Sequence, residues 1–134
     1  MIYLKNYQKN FFKENGYLII ENFIDKKTVS VLREASFDLF KGKYQTNIAP
    51  DKIKWSLQNS KIKKRQPRQL CNVWKSNYHF ASVILSKKIG KLASELMNWN
   101  GVRLSKDSLM WVPPKSGGVS MHQDDVYQDW HIPG

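Results

Sequence analysis

Pro113-Pro114-Lys115-Ser116-Gly117-Gly118-Val119-Ser120-Met121-His122-Gln123-Asp124-Asp125-Val126-Tyr127 is the stretch on which the reading of the fold turns. Two prolines and two glycines around a polar pair predict a turn. Val119 to Tyr127 is then short enough for a single strand, and Val102 to Val112 before the turn alternates imperfectly, as one or two strands would. A strand through residues 121–125 sends His122 and Asp124 to one face and Gln123 to the other, because side chains alternate along a strand.

Working back from that sheet, the chain reads as helical. Leu4, Tyr7, Phe11 and Phe12 fall at helical spacing over Leu4 to Glu14, and Asn15-Gly16 supplies a stop. Tyr17 to Phe23, rich in β-branched and aromatic residues, predicts a strand. Asp25 stands where an N-cap is wanted, and Val29, Leu32, Phe37, Leu39 and Phe40 carry a helix to about Lys41-Gly42. From Arg68 to Asn98 helical spacing resumes through Leu70, Val73 and Trp74, then Phe80 to Leu85, then Ile89 to Met97, with Ser86 as a cap and Asn98 to Gly101 as a terminator. Helices first and strands last make an α+β arrangement. With 134 residues, no repeat and no composition shift, residues 1–134 read as a single domain.

The net charge of +11 raises the question of nucleic acid. Between Lys41 and Arg68 there are nine basic residues and Asp51 alone on the acidic side, so most of the excess is local. Residues 43–68 contain Pro50 and Pro67, show no sustained period and read as a mobile basic surface loop. A solvated loop accounts for the Lys-Lys-Arg cluster better than a nucleic-acid interface does, although a basic nucleic-acid-binding module is kept as an alternative. One cysteine, Cys71, excludes an intramolecular disulfide and reads as a small buried hydrophobe. The N-terminus lacks a signal-peptide layout, and no apolar run reaches the roughly 18 residues of a membrane span. A cytoplasmic protein without a membrane partner is the expectation.

The chemistry is concentrated at His122 and Asp124. A neutral imidazole and a carboxylate on one strand face can hold a single ion, and they are two of the three ligands of the facial triad used by non-haem Fe(II) oxygenases. The pair alone is a common occurrence; its setting adds weight. Phe11-Phe12-Lys13-Glu14-Asn15-Gly16-Tyr17-Leu18-Ile19-Ile20-Glu21-Asn22-Phe23-Ile24, then Arg68 to Trp74, then Leu96 to Leu104 with Asp107, then Pro113-Pro114 and His122-Gln123-Asp124, follow one another in an order and spacing that resemble the phytanoyl-CoA dioxygenase-like family of Fe(II)/2-oxoglutarate-dependent oxygenases.

That resemblance implies N-terminal helices packed on a double-stranded β-helix of the jelly-roll or cupin-like kind, of which the first strands are present. It implies Fe(II) held by His122, Asp124 and a later histidine, with 2-oxoglutarate as co-substrate and a downstream arginine on its far carboxylate. The 134 residues contain neither later group, so the resemblance implies the N-terminal portion of such a domain, inactive by itself. Neither His131, seven residues beyond Asp124, nor His79, in the helical region, suits the third position. Asn72 and Ser108 become candidates for cofactor contact, each with a rival reading as a cap or a strand-surface polar residue, and Gln123 a candidate for orienting a ligand from behind. Tyr127 and Trp130 are candidates for an apolar wall against substrate, or are core aromatics. The implied reaction oxidises a C–H bond of a small molecule with dioxygen while 2-oxoglutarate is decarboxylated to succinate; the alternative within the fold is a non-catalytic remnant.

Overall fold

The computed structural model describes residues 4–53, 67–116 and 121–122. Helix α1, Asn6–Asn15, opens with the Gln8 side chain accepting from the Lys5 amide at 2.9 Å. It closes at Gly16, whose φ of 78° is left-handed and whose N–H donates to the Phe12 carbonyl, a conformation that costs glycine little. Helix α2, Lys26–Phe40, has the expected N-cap: the Asp25 carboxylate accepts from the Thr28 amide at 2.9 Å. Helices α3, Tyr78–Ile84, and α4, Lys87–Met97, follow a 3-10 turn at Val73–Lys75. Ser86 caps α4 as its sequence position suggests, and Asn98 ends it in the left-handed region at φ 54°.

Three short strands form one antiparallel sheet in the order β1 (Lys52–Ile53), β2 (Arg68–Cys71), β3 (Ser108–Trp111). In β2·β3, Arg68 faces Trp111, Gln69 faces Met110, Leu70 faces Leu109 and Cys71 faces Ser108. Alternation therefore puts Arg68, Leu70, Leu109 and Trp111 on one face, and Gln69, Cys71, Ser108 and Met110 on the other.

The first face meets α2. Ala35 and Leu39, four apart, are buried against Leu70, Val73 and Phe80, with Leu32, Phe40, Tyr44, Ile84 and Leu109 around them. Leu39 and Val73 are almost wholly excluded from solvent. At about 25 cal/mol per Å² of apolar surface removed from water, this cluster is the main cohesive element of the described residues. Helix α4 packs beside the N-terminal segment: Glu95 accepts from the Leu4 amide at 3.4 Å, and the Lys88 ammonium sits 4.2 Å from the Phe23 ring centroid.

Several expectations are corrected. Tyr17 to Phe23 is not a strand: residues 17–20 have no regular secondary structure, and residues 21–24 turn, with Asn22 at φ 53°. Leu18 and Ile20 are half-buried while Tyr17 and Ile19 are exposed, so the β-branched and aromatic composition that suggested a strand is used to pack one side of the segment. Arg68 to Cys71 is a strand instead of a helix start; Leu70, Val73 and Trp74 mimic helical spacing because the strand runs straight into a 3-10 turn. Lys52–Ile53 and Arg68 belong to strands, so the span 43–68 is not loop throughout. Only 108–111 of Val102 to Val112 is strand. Pro113 to Ser116 turns as expected, with the Ser116 amide donating to the Pro113 carbonyl at 3.2 Å. Met121 and His122 lie in no strand, and the rest of the expected strand falls outside the described residues.

Candidate functional site

The described part of the candidate site is the end of the sheet where β1 begins, β2 ends and β3 begins. Asn72 leaves β2 in the left-handed region, φ 56° and ψ 45°, a conformation asparagine tolerates better than most residues. That geometry engages Asn72 and Asp107 twice: the Asn72 amide donates to the Asp107 carbonyl at 2.9 Å, and the Asp107 amide donates to Asn72 Oδ1 at 3.3 Å. The other end of the Asn72 side chain, Nδ2, donates to Asp51 at 2.6 Å.

Two carboxylates complete the lacing. Asp107 accepts from the amides of Val73 at 3.1 Å and Trp74 at 3.4 Å, so it caps the 3-10 turn from the residue just before β3. Burial pushes its carboxyl above the ordinary range; those two N–H groups oppose the shift, and the nearby Asp51 charge adds to it. Asp51 accepts from the Lys75 ammonium at 2.8 Å as well as from Asn72, and these bonds hold its carboxyl below the usual range. Its amide donates to the Cys71 carbonyl at 3.0 Å, and Thr46 donates to the Lys75 carbonyl at 2.6 Å. Asn72 is thus occupied at both ends of its amide in tying strand ends together.

Ser108 sits next to this lacing but on the sheet face turned away from α2. Its hydroxyl accepts from Gln69 Nε2 at 3.2 Å and lies 3.8 Å from Cys71 Sγ. Cys71 is buried, as expected of a small hydrophobe, while Ser108 is exposed. Asn72 and Ser108 are therefore brought to the same end of the β2·β3 ladder. His122 is exposed. Gln123, Asp124, Tyr127 and Trp130, together with His131, lie outside the described residues. Among the described residues no three His, Cys, Asp or Glu side chains gather as a metal site, and His79 is exposed on α3.

Lys75 escaped the sequence reading, Asp51 entered it only as a charge, and Gln69 and Asp107 only as parts of the family pattern. The signal for Asp51 and Lys75 is non-local, 24 residues apart in the chain. Asparagine is suited to positive φ, but the signal at Asn72 was hidden because Arg68 to Cys71 reads as helix and not as the strand that precedes the turn.

Among the described residues no helix is long and apolar enough to cross a membrane. Neither a curated protein nor a solved structure matches the chain. The family model for phytanoyl-CoA dioxygenase (PhyH) does, over residues 12–133. That span takes in α1 from Phe12, the whole sheet with its laced end, and His122-Gln123-Asp124, and by it the chain belongs to the phytanoyl-CoA dioxygenase (PhyH) family.

Proposed function

We propose that the chain serves an Fe(II)/2-oxoglutarate-dependent dioxygenase that hydroxylates a small molecule. The observation that carries this reading is the family match over residues 12–133, which runs through His122 and Asp124 in sequence. The donor set fits the metal: an exposed imidazole at His122 and a carboxylate two residues on are the ligand types that a facial Fe(II) site takes. Bound there with 2-oxoglutarate and dioxygen, iron supplies the oxidising power that decarboxylates the co-substrate to succinate and oxidises a C–H bond.

The protein's own residues have simpler tasks. His122 must present a neutral nitrogen, and Asp124 brings a negative charge that offsets the ion. Gln123 orients one of the two ligands from behind. Tyr127 and Trp130 wall the reaction from water on the substrate side. Ser108 is the better placed of the two cofactor-contact candidates, since its hydroxyl is exposed while the Asn72 amide is spent on Asp51 and Asp107. In this reading the sheet face bearing Gln69, Cys71, Ser108 and Met110 belongs to the interior of a double-stranded β-helix, and α2 covers its outside, with residues 1–134 as part of that one domain.

Metal analysis tests the proposal. The purified chain loaded anaerobically with Fe(II) and desalted is expected to retain iron, and His122→Ala and Asp124→Ala to lose most of it. Iron retention equal to wild type in both variants would make the fold a non-catalytic remnant at this position.

A further inference from the structure

Arg33, Phe37, Phe40 and Lys41 recur along α2 at steps of four, three and one, so they form one stripe of the helix. Opposite them, Arg68 and Trp111 are register partners on the α2-facing side of the sheet, and the Arg68 guanidinium lies 5.0 Å from the indole centroid. These six residues, with Ser36, line a cavity of about 320 Å³. Its size falls within the range of small-molecule sites, about 300 to 1,000 Å³.

The lining holds three cations and no carboxylate. The acids of the same helix, Glu34 and Asp38, line a different cavity, and Asp38 is paired with Lys43 at 3.6 Å. Among the described residues, Arg33, Lys41 and Arg68 make no ion pair. Nor can the sequence just before Arg68 neutralise them, since residues 54–66 contain five basic residues and no acidic one. The aromatic part of the lining, with Phe37 54% and Trp111 37% exposed, favours an apolar body that covers it. Arginine stacked on an aromatic ring keeps its in-plane N–H groups for an oxyanion. An inorganic ion would leave the aromatics wet, and a long polyanion would not enter a cavity of this volume.

We infer that this groove between α2 and the β2·β3 ladder binds a small amphipathic organic anion, one carboxylate or phosphate head on an aromatic or short aliphatic body. The site is on the opposite face of the sheet from Ser108 and does not rest on the iron reading. Calorimetric titration of the purified chain, without iron, with 1-naphthyl phosphate, 1-naphthoate, 1-naphthol and inorganic phosphate tests it. Saturable binding of one naphthyl anion per chain is expected, with naphthol and inorganic phosphate at least tenfold weaker; the tighter of the two anions identifies the head group. Arg33→Gln and Lys41→Gln, both exposed positions, are expected to weaken binding about tenfold each, and Arg68→Lys to do so by losing the stacked fork. The paired variant Lys61→Gln/Lys63→Gln and His122→Ala should bind as wild type, which separates this site from both the basic segment and the iron ligands. Equal affinity for inorganic phosphate, no saturable binding because acidic residues of the chain already fill the groove, or loss of binding in Lys61→Gln/Lys63→Gln with Arg33→Gln and Lys41→Gln unaffected would overturn it.

Discussion

Ser76 is wholly buried between the 3-10 turn and α3, and its hydroxyl has no hydrogen-bond partner among the described residues. A buried hydroxyl without a partner costs about 1–3 kcal/mol. Ser76→Ala removes that cost and leaves a void of only one oxygen, so it is expected to leave stability unchanged or raise it by up to about 1 kcal/mol in urea unfolding. A loss larger than that would mean that the hydroxyl is bonded. Asp107 carries a second prediction, because its raised folded-state value means that the native chain holds the proton more tightly than the unfolded chain. Its contribution is then fully present below the ordinary carboxyl value of about 3.9 and is lost as pH rises through the higher folded value. The exposed Asp51 has the opposite sign, its contribution being lost as pH falls through its depressed folded value. Asp107→Asn should therefore cost more stability near pH 4.5 than near pH 6.5; a cost that is the same at both, read from urea midpoints, would show that the carboxyl does not titrate in this window. At this scale the sequence was legible where chemistry is local. The Asp25 cap bonds three residues away and was visible, whereas the two hydrogen bonds that commit the Asn72 amide come from residues 21 and 35 positions away.

Elements were legible where their ends carry their own signals. Asp25, Ser86, Gly16 and Asn98 cap as their residue types suggest, since each bonds within four residues of itself. Asn77 does the same for α3 from a nearly buried position, accepting from His79 at 3.0 Å and Phe80 at 3.2 Å. Asn77→Ala is expected to cost about 1–2 kcal/mol, and Ser86→Ala, at a less buried cap, about 1 kcal/mol. Thermal melts of the two variants check the order; equal costs would mean that burial of the cap adds nothing. The strands were harder to read. Tyr17 to Phe23 has strand composition but no partner among the described residues, and Arg68 to Cys71 has a partner but helix-like spacing, because its pairing is decided by Ser108 to Trp111, far along the chain. Strand propensity states what suits a pleated surface, not whether an edge is available to pair.

The whole molecule combines a small core with a large charge. Ala35, Leu39, Leu70, Val73 and Phe80 come from two helices, a strand and a 3-10 turn, and the apolar periods of α2 and α3 identified two of the five, Leu39 and Phe80, without any knowledge of the pairing. Leu39→Ala, at a site with no solvent exposure, is expected to cost about 2–5 kcal/mol, enough to unfold a domain of marginal stability. Against this core works the net charge of +11, much of it between Lys41 and Arg68. Like charges repel more strongly in the compact state, and salt screens them over about 10 Å at 0.1 M. The melting temperature should therefore rise between about 50 and 500 mM sodium chloride. If general repulsion is the whole of the effect, sodium chloride and sodium 1-naphthoate at equal ionic strength will act alike. A groove that collects Arg33, Lys41 and Arg68 around Trp111 predicts instead that the naphthoate salt raises the melting temperature further at the same ionic strength, and that Arg33→Gln removes only this extra increment. Identical curves for the two salts would leave the charge as a property of the surface and not of a site.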